Sequence, residues 1–183
     1  MNALSMTEVT QEDKPSLARI YLIGFMGSGK SFIGKKLANK LGYTWLDLDH
    51  EIERETAMKI HDIFQFWGED RFREIERDCL RKTYSLKKIV VSCGGGTPCF
   101  YDNMEEMKAQ GTVVYIQTPK EIILGRLRQK RDHRPMISKL DDDGLKAFID
   151  HKIQEREKVY IEAEYIYQTD RDKLEEWIER VLK

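Results

Sequence analysis

Eight residues near the start of the chain constrain its fold more than any others. Gly24-Phe25-Met26-Gly27-Ser28-Gly29-Lys30-Ser31 fits the pattern G-x-x-x-x-G-K-[ST]. That pattern has structural content only where a strand leads into it and a helix leaves it. Both conditions hold in the sequence. Residues 20–25 (IYLIGF) are a short apolar run that stops at the glycines, which reads as a buried strand. From Lys30 to Leu41 the apolar residues fall at 32, 33, 37, 38 and 41, a helical spacing. A loop framed in this way suits a polyphosphate. Glycines let backbone N–H groups approach the anion, and the helix N-terminus adds partial positive charge. Lys30 can reach the β- and γ-phosphates of a nucleoside triphosphate such as ATP, and Ser31 can ligate Mg²⁺.

The rest of the chain repeats the strand–helix theme. Apolar or mixed runs at 44–48, 89–93, 112–117 and 165–169 read as four more strands. Helical text separates them, with breaks near residues 57–59 and at Gly68; Pro119 opens one helix, and residues 172–183 form a last amphipathic one. Alternation of this kind predicts an α/β fold, a five-stranded parallel sheet with helices on both faces. The basic and acidic totals, 31 and 32, nearly cancel, so no global charge draws the chain to nucleic acid or to a lipid surface. No apolar run approaches a membrane span, and residues 1–18 are polar with no secretory core, which reads as a disordered extension of a cytoplasmic protein. Cys79, Cys93 and Cys99 form no C-x-x-C and read as reduced thiols. The four histidines show no metal-ligand spacing.

The P-loop does not say what receives the phosphate. Asp47 and Asp49 close the second strand, and ligands of an open parallel sheet lie beyond the carboxyl ends of its strands. A turn that caps the following helix explains the pair equally well by itself, but beside a P-loop the functional reading is preferred: one carboxylate there can serve the metal and the other can orient an acceptor hydroxyl. Arg73 can be a fork for a substrate carboxylate. Glu69 and Glu76 lie four and three residues away, so an ordinary salt-bridge face explains the spacing better. Gly94-Gly95-Gly96 is more glycine than one turn needs, and lets backbone approach a ligand closely. Arg126, Arg128, Lys130, Arg131 and Arg134 crowd the approach to residues 131–144, whose composition suits a mobile lid. That basic block lacks the aromatic residues a single-stranded nucleic-acid groove would use.

Taken together, the chain resembles the shikimate kinases from about residue 18 to 183. The resemblance rests on GFMGSGKS (24–31), DLDHEIE (47–53), IFQFWGEDRFREIE (63–76), CGGGTP (93–98), Arg134-Pro135, and Arg156 with Tyr160, in the family's order and spacing. It implies a single kinase domain at 19–183 with the fold of nucleoside monophosphate kinases, ATP and Mg²⁺ as cofactors, and shikimate as the small-molecule acceptor of a monomeric enzyme. By position it implies nucleotide contacts from Gly27, Ser28, Gly29, Lys30, Ser31 and Phe32, and Mg²⁺ contacts from Ser31 and Asp47. Asp49 matches the residue that binds the acceptor hydroxyls and is proposed as the base. Arg73 and Arg156 match arginines that hold the substrate carboxylate, Gly95 and Gly96 match backbone donors, and Arg134 matches the lid arginine. Phe32-Ile33 departs from the family's frequent Thr-Val, and Tyr167-Gln168-Thr169 from its Val-Asp-Thr. A gluconate or nucleotide kinase would share the P-loop without the full acceptor set, and a non-catalytic relative would have lost Lys30, Asp49 or Arg73.

Overall fold

A computed structural model describes residues 17–129 and 137–181. Five strands, β1 (Arg19–Ile23), β2 (Thr44–Asp47), β3 (Ile89–Ser92), β4 (Thr112–Gln117) and β5 (Tyr165–Gln168), form one sheet in the order β2-β3-β1-β4-β5. Every pairing is parallel. The helices are α1 (Lys30–Leu41), α2 (Leu48–Thr56), α3 (Ile60–Lys82), α4 (Asn103–Gln110), α5 (Lys120–Gln129), α6 (Asp142–Tyr160) and α7 (Leu174–Val181).

Strand periodicity divides the core in two. Ile20 and Leu22 of β1 point to one face, with Val90, Val114 and Ile116, under Leu37 of α1 and Trp177 of α7. Tyr21 and Ile23 point to the other, with Val91, Val113 and Tyr115, under α2 to α6. The four β1 side chains are wholly buried, each contributing about 1.5–3 kcal/mol of transfer free energy. Positions covered on both faces of a sheet are apolar whichever way they point, which is why residues 20–23 of β1 do not alternate.

Strand order reverses at β1, with β2 and β3 on one side and β4 and β5 on the other. The carboxyl ends of β1, β2 and β3 therefore deliver the P-loop, Asp47–Asp49 and Gly94–Gly96 to one edge. The break expected at Gly68 lies inside α3, at φ 80° and ψ 174°, a conformation essentially reserved for glycine. The break near 57–59 separates α2 from α3.

Of the expected lid, residues 131–136, including Arg134, lie outside the described residues, as do residues 1–16 of the expected N-terminal extension. Ile137 is buried in the core, and Asp141 caps α6 by accepting a hydrogen bond from Gly144 N at 2.7 Å. Two further aspartates, Asp142 and Asp143, occupy the first turn, where carboxylates complement the helix dipole. The aspartate run that resembles a loop is a helix start.

Candidate active site

The P-loop runs from β1 into α1. Gly29 precedes the helix at φ 100°, a left-handed conformation that side chains rarely adopt. No side chain caps α1 and its first turn carries no acid, so the partial positive charge of its N-terminus faces the cleft uncompensated by the helix itself. Neighbouring elements brace the loop. Thr118 Oγ1 donates to Ser28 O at 2.9 Å, and Arg126 donates to Gly27 O and Ser28 O at 2.9 and 3.1 Å. The Lys30 ammonium donates to Gly24 O and Phe25 O at 2.8 and 3.0 Å, which holds it over the loop. Ser31 Oγ donates to Asp47 Oδ2 at 2.7 Å. A hydroxyl beside a carboxylate is an oxygen set that fits Mg²⁺, which fills its other positions with phosphate oxygens and water. A cleft of about 570 Å³ joins Gly27, Lys30 and Ser31 to Asp47, Asp49 and Gly95.

On the far side of that cleft, four charged residues from three elements meet the glycines after β3. A Cβ built on Gly94 would lie 3.0 Å from Asp49 Oδ1 and 2.8 Å from Glu76 Oε1. On Gly95 it would lie 3.4 Å from an Arg156 terminal nitrogen, and on Gly96 2.6 Å from Arg73 Nη2. The glycines thus allow the charged groups to pack against backbone. Tyr160, one turn beyond Arg156, donates its hydroxyl to Gly95 O at 2.5 Å and ties α6 to this loop.

Arg73 reconciles the two readings of its spacing. Its ion pairs with Glu69 (3.0 Å) and Glu76 (2.7 Å) both form. The helix face is not a solvated one, however: Arg73 is only 6% exposed and Glu76 1%. Phe100 stacks on the guanidinium at 3.9 Å and Phe72 at 4.9 Å. Glu76 also accepts from Thr97 Oγ1 at 2.6 Å, linking α3 to the glycine loop. A guanidinium has five N–H donors, and these pairs use three, from Nε, Nη1 and Nη2. Each terminal nitrogen keeps a further N–H, enough for a carboxylate.

Asp49 opens on the cleft, but the surrounding protein removes much of the water near its carboxyl. Its pKa is raised to about 6, chiefly by that desolvation, with the charges of Asp47 and Glu76 adding and those of Lys30 and Arg73 opposing. It is poised between acid and base near neutrality. The three cysteines are free. Burial pushes the Cys79 thiol up to about 12 and Cys93 higher still, so neither is a nucleophile at neutral pH.

Of the expected site residues among those described, Gly27, Gly29, Lys30, Ser31, Phe32, Asp47, Asp49 and Gly95 line this cleft, Arg73 and Arg156 pack against Gly96 and Gly95 of the glycine loop beside it, and Ser28 is buried in the P-loop and lines a neighbouring cavity. Sequence reasoning named Glu76 only as a salt-bridge neighbour of Arg73 and Arg126 only as part of a basic block, and gave neither a place in the site. Glu76 had a faint signal as the acid three residues after Arg73; its link to Thr97 joins positions 21 residues apart and left none.

A parallel sheet with a P-loop at its reversal point, facing a carboxylate and two buried arginines, defines a P-loop phosphotransferase. The family model described as shikimate kinase matches residues 26–183. Among curated proteins, the shikimate kinase of Bacteroides thetaiotaomicron is 38% identical over 154 residues, 84% of this chain and 88% of that one. The crystal structure of shikimate kinase from Bacteroides thetaiotaomicron superposes with a TM-score of 0.83 at 37% identity, covering 89% of this chain and 95% of the other. Shikimate kinase from Acinetobacter baumannii, solved in complex with shikimate, gives 0.80 at 35% identity, covering 92% of each chain. The chain belongs to the shikimate kinase family.

Proposed function

We propose that this enzyme transfers the γ-phosphate of ATP to the 3-hydroxyl of shikimate, giving ADP and shikimate 3-phosphate for aromatic amino-acid biosynthesis. The observation that carries the reading is the meeting of Asp49, Arg73 and Arg156 at Gly94–Gly96, across one cleft from Lys30 and Ser31. An acceptor that is both an acid and an alcohol satisfies that arrangement. Its carboxylate takes the remaining N–H donors of Arg73 together with Arg156, and its hydroxyl lies against Asp49.

Chemistry then needs little beyond positioning and charge neutralisation. Arg73 and Arg156 fix the acid, so that one hydroxyl faces the phosphate loop. Asp49 accepts the hydroxyl proton as the oxygen bonds to phosphorus, and ADP departs with the electron pair of the broken P–O bond. Lys30 and the N-terminus of α1 hold the β- and γ-phosphates. Arg134, assigned by resemblance, neutralises charge on the transferring group. Ser31 and Asp47 would hold Mg²⁺, which when bound would offset the negative charge of the phosphates. We extend the reading to a cytoplasmic monomer; the three free thiols suit a reducing compartment.

Product identification tests the proposal. Phosphorus NMR and mass spectrometry after incubation with Mg·ATP and shikimate should show one phosphate monoester, on the 3-hydroxyl. Inorganic phosphate alone, or an ester at another hydroxyl, would contradict the placement of Asp49.

A further inference from the structure

The strands beside the phosphate loop grip it through two side chains that the chemistry itself does not use. Ser92 ends β3, and its register partner across the sheet is Asp47 of β2. Alternate residues of a strand share a face, so Trp45 and Asp47 of β2 and Ser92 of β3 all turn toward α1. Asp47 accepts from Ser31 Oγ. Ser92 Oγ donates to the backbone oxygen of Lys30 at 3.3 Å. Paired positions of two strands thus hold consecutive residues of the loop. Trp45, two residues back on β2, donates from Nε1 to Ser92 Oγ at 3.0 Å.

The chemistry of these groups gives the chain of hydrogen bonds a direction. An indole N–H only donates, whereas a hydroxyl has one proton and two lone pairs. Ser92 must therefore accept from Trp45, and its own proton is left for Lys30 O. Ser92 is only 2% exposed, so bulk water offers no competing partner. Gly34 clears the path between sheet and helix: a Cβ there would lie 2.7 Å from both Ser92 Oγ and Trp45 Nε1. Glycine weakens a helix interior, and here it lets polar groups of the sheet reach the first turn of α1. The Lys35 ammonium sits over the indole at 4.5 Å from the ring centroid, so α1 also contacts the ring that carries the donor.

We propose that Trp45 and Ser92 are positioning residues of the phosphotransfer. They form a relay that fixes the start of α1 against β2 and β3, and with it the placement of Lys30 and Ser31 relative to Asp47 and Asp49. Neither touches a reacting atom. The relay serves the phosphate side of the cleft and not the acid side, whose arginines are carried by α3 and α6. The proposal rests on the reading of the cleft as a kinase site.

Calorimetric titration of the full chain with Mg·ATP and, separately, with shikimate reads the two sides of the cleft. One hydrogen bond is typically worth about two- to tenfold in an equilibrium. Trp45→Phe keeps an aromatic ring and removes the N–H. It is expected to weaken Mg·ATP binding about three- to tenfold and to hold shikimate within about twofold, while melting within about 4 °C of the parent. Ser92→Ala should lose at least as much toward Mg·ATP. Because Trp45 acts only through the Ser92 hydroxyl, the double variant should match Ser92→Ala within about twofold. Losses that multiply in the double variant would show two independent supports and overturn the relay. Shikimate weakened in the same proportion as Mg·ATP would also overturn it, marking both residues as general packing of the sheet. A parent that binds Mg·ATP no better than Trp45→Phe and Ser92→Ala do would bring down the relay alone. A parent that binds no Mg·ATP would bring down the kinase reading, and the relay with it.

Discussion

Single residues do separable work in this site. Asp49 faces both a substrate and an energetic cost. Between its ordinary value of 3.8 and about 6 the folded chain binds more protons than the unfolded one, so stability falls as pH rises through that window, and the cost is complete above it. Removing the charge should therefore help the fold and harm the reaction. Asp49→Asn is expected to melt above the parent at pH 7 but not at pH 4, and scanning calorimetry at the two values checks it. The same variant should bind ATP within twofold of the parent and lose about 10²–10⁴-fold in turnover, the usual range for a proton acceptor. Undiminished turnover would remove Asp49 from the mechanism. At Arg73, a lysine keeps the charge beside Glu76 but cannot form a fork. Arg73→Lys should weaken shikimate binding by about 1–3 kcal/mol and leave ATP binding unchanged in calorimetry. Equal loss of both would show that Arg73 supports the fold and does not hold the acid.

Elements carry those residues to one place, and two of them can be tested as elements. The loop after β3 works because its glycines leave room for the arginines. A Cβ on Gly96 would stand 2.6–2.9 Å from three atoms of the Arg73 guanidinium. Gly96→Ala should raise the KM for the acid at least about tenfold, by displacing that fork, while the KM for ATP holds. An unchanged shikimate KM would mean that the guanidinium yields without cost. Helix α6 carries Arg156 and Tyr160 into the site, and Asp141 caps its other end. Asp141→Ala should cost about 1 kcal/mol, lowering the melting temperature by about 2–4 °C. Because the cap is more than three turns from Arg156, kcat should be preserved.

Across the whole molecule, what could be read in the sequence followed from how local its cause was. Residues 20–25, 89–93 and 112–117 are apolar because both sheet faces are covered, and such runs announce themselves. The P-loop is contiguous, and its strand and helix lie beside it in the chain. Gly68 declared a break because few other residues tolerate its backbone angles. The acceptor side was harder. Arg73 with Glu69 and Glu76 has the spacing of a solvated helix face, and only packing of Phe72, Phe100 and Gly96 around it makes the pair a buried one. The aspartates at 141–143 have loop composition and also helix-start composition, and the cap at Gly144 decides between them. Family resemblance supplied what spacing could not at Arg73 and Arg156, and the structure supplies a physical reason: both guanidinia pack on the glycine loop. The central claim is that one cleft joins the phosphate loop to a site for a hydroxylated acid. ADP release by the purified chain with Mg·ATP, measured with shikimate, gluconate, AMP or no acceptor, tests it most directly. The account predicts release that depends on shikimate; release driven by another acceptor, or none above the rate without acceptor while ATP still binds, would contradict it.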